Sequence, residues 1–280
     1  MPNNIPKFIS NGDRFTVKYD DKPCTLKIFN AGDIAEEPRK DYCDGIFSEM
    51  ICFHRRYSIG DDHNYDSPEA FLGSLIRDYV GNAKLIKELR EKKLNSRLIF
   101  NRRTKMYDLF VPSYISTPLG DSKPSLSLEE SFSKEDIEIG YLMDAVIENM
   151  SINTMLSALD RCNEIAILPI YLYDHSGLTI NTSGFSCPWD SGMIGWIYCT
   201  KEEYVKNFCL NKAPKDRKEK AYEMLRSEIH LYDCYLTGNV WGYELFAEDN
   251  NETIEVCTGF YGETYEESGI LSEFDAQISA

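Results

Sequence analysis

The sequence has no Cys-x-x-Cys pair, no glycine-rich phosphate loop, no dinucleotide-binding glycine motif, no G-x-S-x-G and no H-E-x-x-H. These absences argue against zinc ribbons, P-loop and dinucleotide enzymes, elbow-type serine hydrolases and zincin proteases. The nine cysteines are odd in number and irregularly spaced, which suggests no disulfide framework. We expect all nine as free thiols in a cytoplasmic protein. No run approaches membrane length, and the opening MPNNIPKFISNG lacks the apolar core of a secretory leader. Basic residues are missing from one long stretch: 227–280 holds no Lys or Arg against twelve Asp or Glu. An even scatter of 30 bases over 280 residues would put about six there. With a net charge of −16, non-specific binding to nucleic acid phosphates is disfavoured. A partner protein with a basic surface fits better, with no direct nucleic acid or membrane contact, and a homo-oligomer is compatible.

What is present centres on 168–200, LPIYLYDHSGLTINTSGFSCPWDSGMIGWIYCT, which is poor in charge and has no helical period. Ile165 to Tyr173 reads as a buried strand, Leu178 to Asn181 as a short return strand, and Met193 to Thr200 as a third. The loop between the last two carries Phe185, Cys187 and Trp189, and is expected to fold back onto the sheet. We read Phe185, Trp189, Trp196 and Tyr198 as core aromatics, the alternative being rings that stack on bases. Two polar corners result, Asp174-His175-Ser176 and Asp190-Ser191.

Elsewhere, 14–19 and 24–29 alternate as a hairpin, and 239–247 with 253–257 form a last one. Ser67-Pro68 opens a helix over 68–80, and Ser133 caps a helical region to about 162, with a second cap at Ser151. A long helix covers 214–236. Residues 84–105 hold nine Lys or Arg against two Glu, with a small hairpin over 98–111. Pro112 to Ser133, rich in Ser and Pro, reads as a loop or linker. The expected fold class is α+β, a mostly antiparallel sheet on a few helices with an inserted helical or loop subdomain. The expected organisation is a core of 1–83 and 163–262, an insertion at 84–132, a helical connection at 133–162 and a loosely held acidic tail at 263–280.

Two sets of residues are candidates for function. Asp62-His63 and Asp174-His175, if brought together with His54 and Asp190, could hold a divalent metal, and Arg55 and Arg56 could grip phosphate. Cys52 and Cys187 could add zinc ligands. The alternative is that these polar groups satisfy turns and strand ends. Asp174-His175-Ser176 contains the letters of a triad, but adjacent residues do not converge as one. The second set is acidic: Glu248, Asp249, Glu263, Glu266 and Glu267, as a surface for a basic partner.

The segments Cys52-Phe53-His54-Arg55-Arg56-Tyr57, Gly60-Asp61-Asp62-His63, Leu172 to Gly177 and Ser183 to Gly192 are long enough to be compared as motifs. With Tyr232 to Gly238 and Gly259 to Gly262, they resemble a family of uncharacterised proteins from phages, plasmids and gut bacteria. The chain departs from that pattern at Met193-Ile194 and Thr258. The resemblance implies a setting and no mechanism. By analogy with acidic phage proteins such as anti-CRISPR and anti-Gabija inhibitors, it implies a non-enzymatic accessory protein that blocks a host defence or nucleic-acid-processing protein. The alternative is a metal- or phosphate-dependent enzyme built on the His/Arg/Asp cluster.

Overall fold

The structure, a computed structural model, describes residues 5–20, 22–40, 45–116, 122–208, 214–248, 252–272 and 274. The strands are β1 (Arg14–Tyr19), β2 (Lys22–Asn30), β3 (Glu49–Cys52), β4 (Arg97–Asn101), β5 (Met106–Ser116), β6 (Ser122–Phe132), β7 (Ile165–Asp174), β8 (Leu178–Asn181), β9 (Ser191–Thr200), β10 (Val240–Ala247) and β11 (Thr253–Tyr261). The helices are α1 (Pro68–Leu75), continued by a π turn at Ile76–Val80, α2 (Gly81–Arg90), α3 (Lys134–Ile139), α4 (Tyr141–Glu148), α5 (Ile152–Asp160), α6 (Lys201–Phe208), α7 (Pro214–Leu236) and α8 (Tyr265–Ser268). The fold is α+β, with antiparallel open sheets and several helices. Among the described residues no helix is long and apolar enough to cross a membrane.

The chain divides into two compact units, 1–61 with 168–197 and 222–280, and 62–167 with 198–221. Residues 84–132 thus belong to the second unit, as do α1 and α3 to α5. The boundaries cut β7, β9 and α7.

In the first unit, one sheet runs β1-β2-β10-β11. Alternation decides its faces: Val17, Cys24, Leu26, Ile28, Tyr243 and Leu245 point into a core, while Thr16, Lys18 and Val256 face out. The inward face is completed from 263–280, the stretch expected to be loosely held. Tyr265, Ile270, Leu271 and Phe274 are buried there, so this stretch contributes four side chains to the core. Four apolar side chains outweigh the acidic residues around them, because burying each contributes roughly 1.5–3 kcal/mol.

The three central strands form where expected, but not as the β-meander that strands successive in sequence would make: in the sheet, ordered β3-β9-β7-β8, β9 lies beside β7 on the side away from β8. Gly195 in β9 has a steric cause: a Cβ there would lie 2.0 Å from the Ile51 carbonyl oxygen and 2.8 Å from the Cys52 Cα. Helix α7 is tied to this sheet by Asp233, which accepts hydrogen bonds from the Thr179 hydroxyl and the Ile180 amide, both at 2.7 Å.

In the second unit the expected caps are present. Ser67 Oγ accepts from the Ala70 amide, and Ser151 Oγ from the Thr154 amide. Ser133 and Asp136 form a reciprocal capping box. Gly140, left-handed at φ 110°, separates α3 from α4, a break that the helical periodicity did not announce. Lys84 and Lys218 both donate to carbonyls at the C-terminus of α5, Arg161 and Asp160 respectively, so Lys218 is more than a solvated charge.

The Ser- and Pro-rich stretch 112–133, expected as loop, is instead most of β5 and β6 in a three-stranded sheet ordered β4-β5-β6. Proline is tolerated because β4 pairs with β5 only as far as Phe110. Beyond it β5 has a free edge, and Pro124 lies on the terminal strand, so the missing N–H groups break no central ladder.

Candidate functional site

The candidate residues of the first unit gather at the β7–β8 end of the central sheet. The β7–β8 corner is tight: Ser176 is left-handed at φ 61°, Gly177 sits at φ 154°, and the His175 amide donates to the Gly177 carbonyl at 3.2 Å. The β8–β9 loop is drawn onto this corner, since the Asp174 amide donates to the Asp190 carbonyl at 2.8 Å. Inside the loop, Asn181 Oδ1 accepts from the amides of Ser183 and Gly184, and the Ser191 hydroxyl donates to the Cys187 carbonyl. Phe185 folds back onto Tyr173 with ring centroids 5.5 Å apart.

Trp189 does the opposite of what its size suggests. It is 91% exposed, so this member of the expected core aromatics is a surface residue, whereas Trp196 and Tyr198 are buried. The reason is local: the backbone bonds that seat Asp190 on β7 take up the loop's inward direction and leave position 189 at its crest.

Asp174, His175, Asp190 and Arg56 are brought together. The Asp174 carboxylate accepts from the Tyr57 hydroxyl at 3.1 Å and faces Arg56 Nη1 at 3.5 Å. His175 Nδ1 lies 3.3 Å from the Asp190 carboxylate, which also receives the Cys187 thiol at 3.7 Å. All of these groups are at least partly exposed. His54 is one contact away and serves the fold, since its Nδ1 accepts from the amides of Arg56 and Tyr57, and its ring stacks on Tyr57 at 5.0 Å. Arg55 is exposed and has no ion-pair partner among the described residues. Asp62 and His63 open the second unit, where His63 Nδ1 accepts from the Tyr65 amide at 3.3 Å. Among the described residues no three His, Cys, Asp or Glu side chains are grouped to hold a metal.

The segment before Asp62 contains a polar centre that the sequence did not disclose. Arg39 is 1% exposed at its side chain. Its fork donates to both Asp61 oxygens at 2.8 and 2.6 Å and to the Ser48 carbonyl at 2.7 Å, and reaches Glu228 at 3.3 Å. Asp61 in turn mimics a strand partner of Met50, donating its amide to the Met50 carbonyl and accepting the Met50 amide. Gly60 precedes it at φ 84°, where a Cβ would meet that carbonyl at 2.6 Å. Glu228 takes the Phe47 amide and the Ser48 hydroxyl. Burial pushes the Arg39 pKa down, but hydrogen bonds and charge from Asp61 and Glu228 outweigh it, so Arg39 is held above its ordinary value. Burial pushes the neighbouring Cys52 thiol up to about 12, which makes it a poor metal ligand. This cluster ties Arg39, Phe47 and Ser48 to β3 and α7, and its charges are engaged with one another.

The acidic candidates differ in their surroundings. Glu248 and Glu266 are exposed, and Asp249 lies outside the described residues. Glu263 is exposed, with Asn239 at 3.5 Å. Glu267 binds His230 at 2.5 Å and accepts the Glu263 amide at 2.8 Å. Others in the base-free stretch are also engaged: Glu228 with Arg39, Asp233 with β8, and Glu244 with Lys27 at 3.3 Å. None of the seven described cysteines, Cys24, Cys52, Cys162, Cys187, Cys199, Cys234 and Cys257, is in a disulfide, and Cys43 and Cys209 lie outside the described residues. Comparisons with protein-family models, curated proteins and solved structures return no match to this chain.

Proposed function

We propose that this chain is a binding protein that engages a partner with a basic surface and, in the phage or mobile-element setting that its motifs resemble, inhibits a host defence or nucleic-acid-processing protein. The observation that carries this reading is the set of exposed acids at the two ends of β11, Glu248 on one side and Glu263 with Glu266 on the other, in a stretch with no Lys or Arg. Nine residues of strand separate them by roughly 30 Å at ~3.3 Å per residue, the span of a standard protein interface. Charges so placed accelerate encounter with a cationic surface and are screened over about 8–10 Å at physiological ionic strength.

Affinity capture from a bacterial host, followed by mass spectrometry and measurement of binding by the recovered partner, tests it. The triple variant Glu248→Lys, Glu263→Lys, Glu266→Lys is expected to slow association at low salt, with little change at high salt. Unchanged association at low salt would remove the acidic surface from recognition. Glu267 is left out because its contacts to His230 and the Glu263 amide are structural.

The clustering of Arg56, Asp174, His175 and Asp190 favours a second reading, chemistry on a phosphate-bearing substrate at the β7–β8 corner. Phosphate would then raise the melting temperature, and Arg56→Ala would abolish that rise.

A further inference from the structure

We infer that the open face of the β4-β5-β6 sheet is a contact surface for a second copy of this chain. The register sets Phe110 opposite Leu128, Pro112 opposite Leu126 and Tyr114 opposite Pro124. Cross-strand partners share a face, and alternate residues return to it. Ile99 joins them, because Arg97 pairs with Phe110 and Ile99 with Asp108. The opposite face holds Leu109, Val111 and Phe132, all buried in the unit's own core. The open face is apolar yet bare: Tyr114 is 76% exposed, Leu128 54% and Ile99 52%. An exposed apolar patch of this kind marks a site of association.

Charge and size select the occupant. A chain of net charge −16 repels its own copy wherever acidic surfaces meet. On this face the register pairs place Arg97 and Asp108 as charged groups, Glu129 stands unpaired at the bulge beside Leu128, and Asp108 is bound by Asn101 and Ser131 at 3.0 and 2.7 Å. Arg102, Arg103 and Lys105 sit in the β4–β5 turn, at the end of the face. A near-neutral, apolar strip is therefore a place where two copies can approach, and a two-fold contact makes one strip its own complement. Two 11-residue strands span roughly 36 Å by roughly 10–14 Å with β4, a planar area of roughly 400–500 Å² per copy. Side-chain relief brings the pair to about 1,000 Å² buried, the lower bound for a specific interface. Two such sheets would stack about 10 Å apart as a sandwich. The expected dimer is reversible, with dissociation in the micromolar range.

Sedimentation velocity of the full chain across the micromolar range tests this, with the double variant Tyr114→Glu, Leu128→Glu. We expect a concentration-dependent dimer that the variant weakens by at least tenfold, with an unchanged circular dichroism spectrum. Val256→Glu, on the other sheet, should leave the dimer intact. A monomer at every concentration would overturn the proposal, as would a dimer indifferent to the double variant. Should the variant misfold, the milder pair Tyr114→Ser, Leu128→Ser decides: a weakened dimer supports the two-fold contact, and an unaltered dimer overturns it. These outcomes do not depend on the basic partner proposed above.

Discussion

Replacing Arg39 by Met should cost the first unit about 3–5 kcal/mol. The side chain is 1% exposed, and its fork makes short contacts to Asp61 and the Ser48 carbonyl. Truncation leaves Glu228, 8% exposed, and Asp61 facing each other without the cation that joins them. Breaking a buried pair in this way is far more damaging than never having built one, because the surviving charges keep their desolvation penalty. The remaining donors, the Met50 and Phe47 amides and the Ser48 hydroxyl, soften the loss without neutralising it. Arg39→Lys keeps the charge and loses the planar fork, so an intermediate cost of about 1–3 kcal/mol is expected. Adding Glu228→Gln to Arg39→Met should recover part of the loss, a coupling that only interacting groups show. Urea unfolding followed by tryptophan emission is the assay. All three tryptophans, Trp189, Trp196 and Trp241, lie in the first unit, so the signal reports on that unit. An Arg39→Met transition within about 0.5 kcal/mol of the unsubstituted protein would refute the reasoning, and an Arg39→Lys variant as stable as the parent would refute the part assigned to the fork.

Gly195→Ala should abolish folding of the first unit or cost well over 3 kcal/mol, since the new methyl would sit 2.0 Å from a backbone oxygen that no rotamer change can move; soluble yield and unfolding curves read it out. Thiol labelling of native protein should reach Cys187 and Cys257 first among the seven described cysteines and spare Cys52 and Cys234, whose thiols burial pushes up to about 12; denaturation without reductant should expose nine, and two or more missing would contradict free thiols. Burial pushes the Glu267 carboxyl up, but the Glu263 amide and His230 outweigh it and set its folded pKa below the ordinary glutamate value. Its contribution is therefore present above that ordinary value and lost as pH falls through the folded pKa; Glu267→Gln should flatten this acid limb in melting curves, and an unaltered limb would sink the assignment. Trp189→Ala should change stability by less than about 0.5 kcal/mol, because a 91% exposed ring has little burial to lose; a larger loss in urea would mean that the ring packs in solution.

Local signals carried most of the fold. The hairpin of β1 and β2, the three caps at Ser67, Ser133 and Ser151, and the individual strands β7, β8 and β9 all follow from patterns a few residues long, whereas the placing of β9 beside β7 does not. What escaped depends on distant partners. Arg39 stands in a polar loop with nothing nearby to single it out, and its carboxylates come from 22 and 189 residues away. Composition misled at 112–133, where Ser and Pro suggest a loop, although Leu126 and Leu128 alternate as a strand should. It misled again after 263, where acidic letters hide Tyr265, Ile270, Leu271 and Phe274. For the candidate site, turn chemistry marked the two polar corners, Asp174-His175-Ser176 and Asp190-Ser191, while their proximity entered only as a condition of the site reading. The exposure of Trp189 was not, because a large aromatic in an apolar loop is more often buried.

The motif residues fall into two groups according to their contacts. His54 stacks on Tyr57 and caps its own loop, Gly60 admits a carbonyl, Asp61 completes a strand pairing, and Ser191 ties its loop. Such residues would be retained by any sequence that keeps this fold, whatever it binds. Arg55, Trp189, Glu248 and Glu266 have no comparable part in holding the fold, and each costs something to display: an exposed tryptophan invites association, and exposed like charges repel. Side chains that the fold does not need are where a binding function can be written without destabilising the protein. That places the weight of any functional test on these exposed positions and on the bare face of β5 and β6, and away from the histidines that first attract notice.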